Sequence, residues 1–225
     1  MSRVLVIGDT HMPGMHKKYP SFLAKVAKRH NCNRFVHIGD LVDNHQISFH
    51  SSEVDAPNAY EESEKARSQI GRFVNRFPKV DMLMGNHDSL HVRRVVEAGL
   101  PKNTIKDFGE YWGLPSSWNV IDRFSAIEID GVSYSHGETG SAGKYAAINQ
   151  ANQSFQSSVC GHFHACFGVW YNANNHHCIF GAATGCGIDR EYLGMRYGRK
   201  FPRKPILGCL VVIDGETVVP EPMRM

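Results

Sequence analysis

Short apolar runs that stop at a glycine, alternating with stretches of helical period, set the rhythm of the first half of this chain. Val4 to Ile7 is the first run and leads into "GDTH". A helix from about Ser21 to His30 follows, with Phe22, Leu23, Val26 and Ala27 on one face. Arg34 to Ile38 is the second run and leads into "GDLVD". A long helical stretch over Asn58 to Phe77, carrying Ile70, Phe73, Val74 and Phe77, precedes a third run, Val80 to Met84, and "GNHD". Strand, glycine, polar cluster, helix predicts βαβ units, with a site gathered at the carboxyl ends of the strands.

The second half changes character. Phe124 to Ile129 and Val132 to Ser135 flank Asp130 and Gly131, which reads as a β-hairpin ending in "SHGE". A helix around Ala142 to Gln153 separates it from Ser157 to Cys160 and "GHFH". Ala165 to Tyr171, Cys178 to Ala182 and Leu207 to Ile213 read as further strands. Helices are sparse here, so the expectation is a second, more antiparallel sheet. No repeat, low-complexity tract or linker interrupts the chain, and 42% hydrophobic residues suffice for a full core, so residues 1–225 are read as a single domain.

Composition narrows the function classes. With 25 basic against 22 acidic residues, the net charge of +3 is too mild to demand a nucleic-acid or membrane partner. The six cysteines fall in no C-x-x-C spacing, which excludes zinc-knuckle and thioredoxin readings and leaves buried reduced thiols. No apolar run approaches the roughly 18 residues of a membrane span, and the first is too short for a signal peptide. The expectation is a soluble, cytoplasmic protein; oligomeric state is not legible.

The candidate chemistry lies in the polar clusters. In an extended segment residues i and i+2 point the same way, so Asp9 with His11, and His162 with His164, are each aimed at one spot. Asp9, His11, Asp40, Asn86, His136, His162 and His164 are all oxygen or nitrogen donors just past an expected strand. Such a mixture without thiolate suits Mn, Fe or Zn. Seven ligands exceed the needs of one metal, but suit two ions about 3.5–4 Å apart bridged by a carboxylate, the arrangement that performs in-line displacement at phosphorus.

Taken in order, "GDTH", "GDLVD", "GNHD", "SHG" and "GHFH" resemble the blocks of the calcineurin-like metallophosphoesterases, over Gly8 to His164. The resemblance implies a four-layer α/β/β/α sandwich, two mixed β-sheets packed face to face and flanked by helices. It also implies that Asp9, His11 and His164 hold one divalent ion, that Asn86, His136 and His162 hold the other, and that Asp40 bridges them. Manganese is the favoured metal, with iron or zinc as alternatives, and a hydroxide bridging the ions attacks a phosphomonoester or phosphodiester substrate. By the same resemblance His87 sits over the phosphate and protonates the leaving oxygen or stabilises charge. Asp43 and Asp88 are the candidates to orient it, and Asp43 is favoured as a carboxylate backing a histidine.

The sequence also departs from the protein Ser/Thr phosphatase branch of that family. Asp43 is followed by Asn44 and His45 where that branch has Arg-Gly, and Phe163 stands between the last two histidines where many relatives have Thr. The chain resembles the stand-alone bacterial and phage members instead. The histidines outside the blocks read as surface or satisfied core residues, except that His45 and His50 are placed to line a substrate groove. From Asp189 to Lys204 six basic residues, Arg196 and Arg199 among them, interleave with Tyr192, Tyr197 and Phe201. That mixture suits single-stranded nucleic acid; the plainer alternative is a solvated loop whose aromatics anchor it to the second sheet. A nuclease with the same chemistry, and a non-catalytic scaffold with the same fold, are the competing readings.

Overall fold

A computed structural model of the chain describes residues 1–49, 55–140, 142–192 and 202–224. Eleven strands form two mixed sheets among the described residues. β1 (Arg3–Ile7), β2 (Arg34–His37), β3 (Asp81–Leu83) and β4 (Asn119–Ile121) run parallel side by side in the first sheet. β10 (Gly208–Ile213) pairs antiparallel with β1, and β11 (Thr217–Pro222) closes that edge. The second sheet has the order β5 (Ala126–Ile129), β6 (Val132–Ser135), β7 (Ser158–Cys160), β9 (Cys178–Thr184), β8 (Phe167–Ala173).

Side-chain parity along the strands builds the layers. Val4, Val6, Leu210 and Val212 pack with Tyr134, Val159, Phe180 and Ala182, so the two sheets meet face to face. The intervening Leu5, Ile7, Cys209 and Val211 pack the other way, against helices α1 (Tyr19–Arg29) and α2 (Ala59–Arg76) through Leu23, Val26, Ile70 and Phe73. On the far side α5 (Ala146–Ser154) lays Ala147 against Cys160 and Ala183. The result is the four-layer α/β/β/α sandwich implied by the resemblance.

Among the described residues the second sheet is the more antiparallel of the two, with two of its four pairings antiparallel against two of five in the first, although β6–β7 and β7–β9 are parallel pairs joined by crossovers. One expectation of sheet membership is corrected. The strand at 208–213 belongs to the first sheet, where it completes the pairing of β1. Four elements carried no clear periodic signal: β4, β11, α3 (Leu90–Glu97) and α4 (Phe108–Trp112). β4 is three residues long and exists by pairing with β3. β11 contains Pro220 and Pro222, residues that confine a strand to a sheet edge, which is where it lies. Of the cysteines, Cys160, Cys166, Cys186 and Cys209 are buried and Cys32 partly so, but Cys178 is exposed, contrary to the buried reading.

The long helix starts where its cap dictates. Asn58 accepts a hydrogen bond from Glu61 N at 3.0 Å, satisfying one otherwise unpaired amide of the first turn. Asn58→Ala is therefore expected to lower unfolding free energy by about 1 kcal/mol, read from a urea titration as a lower midpoint at unchanged slope. Among the described residues no helix is long and apolar enough to cross a membrane.

Candidate metal centre

All seven expected ligands come from segments that leave the carboxyl ends of β1, β2, β3, β6 and β7. Three of them, His11, Asp40 and His162, hold left-handed backbone conformations with φ of 46°, 51° and 65°. Such strain in non-glycine residues concentrates where function demands a particular side-chain direction. The neighbouring glycines leave room for the carboxylates: a Cβ on Gly85 would stand 2.2 Å from Asp40 Oδ1, and one on Gly161 would stand 2.3 Å from Asp9 Oδ1.

Two His/Asp clusters share one residue. Asp9, His11, Asp40 and His164 form the first, and Asp40, His136 and His162 the second. His164 Nε2 lies 3.1 Å from Asp9 Oδ2 and 3.2 Å from His11 Nε2, and His11 Nε2 lies 3.4 Å from Asp40 Oδ2. On the other side His136 Nε2 is 3.3 Å from Asp40 Oδ2 and 3.1 Å from Asn86 Oδ1, which brings Asn86 to the second cluster. Partners at the far nitrogens set the tautomers. His11 Nδ1 donates to Asp43 Oδ1 at 2.8 Å and His136 Nδ1 donates to Ile38 O at 3.0 Å, so both Nε2 lone pairs face the centre.

The donor set fits divalent cations. Asp9 Oδ1 is buried with no hydrogen-bond partner, an open acceptor in a polar pocket. Burial opposes charge on Asp40, but His136, His87 and His11 around it hold its carboxyl well below the usual range. Asp9 is likewise lowered, its burial outweighed by His164 and His136. The protons go to the imidazoles: burial pulls His136 down, yet Asp40 pushes it up to about 10, and His11 rises for the same reason beside Asp40 and Asp43. Two buried carboxylates thus draw positive charge into the cluster, charge that a bound metal ion would supply in place of the protons.

His87 stands at the edge of the centre, its ring centroid 4.5 Å from that of His11. Its backbone N–H donates to Asp40 Oδ1 at 2.8 Å. Its Nδ1 donates to the carbonyl oxygen of Asp43 at 2.5 Å, with the Asp43 carboxylate at 3.3 Å. The closer partner of that carboxylate is His11. Asp88 contacts neither ring; it accepts from Val42 N at 3.1 Å and Gly85 N at 2.9 Å and so braces the two loops that carry Asp40 and Asn86. Burial and the nearby Asp40 push its pKa up to about 7.

His45 is buried two residues beyond Asp43, and its backbone N–H is held by Glu62 Oε1 at 2.7 Å. Arg196 and Arg199 lie outside the described residues, as do His50, Tyr197, Lys200 and Phe201. Tyr192 of the same segment packs its ring on Gly14, and its hydroxyl is buried beside Asp43 and Glu62, which raises its pKa. It is anchored to the loop after β1 rather than to the second sheet. His37 is buried and neutral: Nε2–H donates to Thr10 Oγ1 at 3.1 Å, Gly39 N donates to Nδ1, and burial lowers its pKa to about 4.

Sequence reasoning missed an outer ion pair. Arg123 grips Glu138, two residues after His136, with Nε donating to Oε1 at 2.7 Å and Nη2 to Oε2. Its Nη1 donates to Ser89 Oγ at 3.1 Å, and Ser89 Oγ donates to Asn86 O at 3.0 Å. Glu138 was visible at the end of "SHGE"; Arg123, in a loop 15 residues earlier, carried no local signal.

Comparison with protein-family models matches residues 2–166 to the calcineurin-like phosphoesterase model. The chain belongs to the calcineurin-like phosphoesterase family. No curated protein sequence matches it. Among solved structures it is similar to a Vps29 single mutant from Entamoeba histolytica, with 12% identity, 98% of each chain covered and a TM-score of 0.46. It is also similar to the phosphoesterase Yfce from E. coli, with 11% identity over 96% of this chain and 98% of that one at a TM-score of 0.44. The Pseudomonas putida nuclease MPE matches at 15% identity over 96% and 86% of the two chains, with a TM-score of 0.40.

Proposed function

We propose that this family member is a hydrolase of phosphate esters that works with two divalent transition-metal ions, manganese first among them. The observation that carries the reading is Asp40, shared by two His/Asp clusters on one carboxylate. Asp9, His11 and His164 would hold one ion, Asn86, His136 and His162 the other, and Asp40 would be shared between them. When bound, such ions supply Lewis acidity toward the phosphoryl oxygens and an activated water at neutral pH. Asp43 and the Ile38 carbonyl keep His11 and His136 in the ligating tautomer. His87, clamped by Asp43, presents its other nitrogen to the leaving oxygen. A scaffold that had abandoned catalysis would be free to lose donors, and all seven are in place.

The test uses purified protein in Mn²⁺ with p-nitrophenyl phosphate and bis-p-nitrophenyl phosphate. Turnover of at least one, abolished by EDTA and restored by Mn²⁺, is expected, with two metal equivalents per chain by elemental analysis. A metal-replete sample holding one ion or none would overturn the dinuclear reading. Metal-loaded protein inert toward both esters and toward cyclic nucleotides and oligonucleotides would favour the scaffold.

A further inference from the structure

A groove of about 1060 Å³ runs along α3, between that helix and the segment from Lys102 to Phe108. A second depression, of about 440 Å³, is bounded by His136 of the metal centre and by Glu138 of the outer ion pair. Phe124 lines both, standing between the groove and the depression beside His136. Phe124 is 68% exposed and sits at φ 68°, a conformation that is unfavourable for a bulky residue. Phe49, on the wall of the larger groove, is also exposed. Each ring carries arginine: the Arg123 guanidinium is 4.3 Å from the Phe124 centroid, and those of Arg93 and Arg94 are 4.6 and 4.0 Å from that of Phe49.

The charges along this groove are unevenly committed. Glu97 pairs with Arg94, and Asp107 caps α4 by accepting from Glu110 N. Among the described residues Arg93 and Lys102 have no carboxylate partner; of the carboxylates Asp107 and Asp122 pair with no cation, and Asp107 is held by the backbone amide of Glu110. Exposed aromatic rings with guanidinium planes stacked on them, beside cations that have no carboxylate partner, are what unpaired bases and their phosphates recognise, since bases stack on rings and guanidinium planes while phosphates meet the charges. The groove's volume of about 1060 Å³ lies at the top of the range that one small ligand fills. A duplex would hide the base faces.

We infer that this groove binds single-stranded nucleic acid and leads the strand past Phe49 and Phe124 to the metal centre. The inference rests on the phosphoesterase reading above. Its test is fluorescence anisotropy of the full chain with a labelled oligothymidylate of about 15 nucleotides, within the span of known single-stranded sites. Binding is measured in EDTA, and again in Mn²⁺ with phosphorothioate linkages.

Binding should weaken with salt, and Arg93→Ala with Lys102→Ala should reduce the log–log slope by roughly 1.4, at about 0.7 for each phosphate contact. Phe124→Ala should weaken binding about 5- to 160-fold, and Phe124→Tyr should restore it; melting temperatures check that each variant is folded. If Phe124→Ala does not fold, Phe49→Ala and the Arg93/Lys102 pair read the same groove. Equal binding of a duplex of the same length, or a slope and affinity untouched by every variant, would overturn the inference. Turnover of bis-p-nitrophenyl phosphate by a parent protein that binds no oligonucleotide would also overturn it, giving the surface to a protein partner while leaving the phosphoesterase reading intact. Oligonucleotide binding without turnover of any ester would do the reverse.

Discussion

Asp40→Asn is expected to lose metal and turnover together. Asparagine keeps one carbonyl oxygen in the place of Oδ1, where His87 N donates at 2.8 Å, so the loop is still held. What disappears is the negative charge between the two clusters and an oxygen able to bind a cation at 3.3–3.4 Å from His11 and His136. Loss of an outer partner of a ligand costs about 10–100-fold in metal affinity or activity, and removal of the shared carboxylate should exceed that range. Elemental analysis after desalting and kcat/KM on bis-p-nitrophenyl phosphate are the two readings. Full metal occupancy with full activity in Asp40→Asn would remove Asp40 from the centre.

His87→Ala should separate chemistry from binding. The ring donates its hydrogen bond to the Asp43 carbonyl and stands outside the two clusters that meet at Asp40, so metal content should hold. Turnover should fall by about 10²–10⁴, and by less for p-nitrophenolate than for an alkoxide leaving group, which needs the proton more. Burial disfavours the imidazolium of His87, but Asp40 and Asp43 outweigh it and raise its pKa above the ordinary 6.5. A proton donor with a raised pKa is competent below that pKa and fails above it. The alkaline fall of kcat/KM should therefore lie above pH 6.5 and vanish in the variant. Metal loss on substitution would instead make His87 a ligand, through the third group it forms with His11 and Asp43.

The site was more legible in the sequence than the fold was. Each expected ligand sits within a few residues of an apolar run, so spacing alone placed Asp9 with His11 and His162 with His164 on common faces. What spacing could not reveal depends on chain segments far apart. Asp88 bonds Val42, 46 residues away, and Glu62 reaches back 17 residues to His45. Tyr192 meets Gly14 only because the loops after β1 and β9 cross. The sheet to which β10 belongs was hidden for the same reason, since an apolar strand buried on both faces has no polar side to show which neighbours it joins. The proline-bearing β11 and the three-residue β4 fell below any periodic signal.

The placement of β10 also orders events at the ribosome. Ile7 pairs with Cys209, and the other edge of β1 is filled by β2. At roughly 5–20 residues per second of synthesis, β1 waits about 10–40 seconds for that partner, with one side of a strand that is apolar from Val4 to Ile7 unpaired. Until then the loop bearing Asp9 and His11 has no second wall at Cys186 and Leu207, whose bridges tie it in. The emerging chain thus carries an unpaired strand edge for most of its synthesis, open to pairing with other chains until β10 arrives.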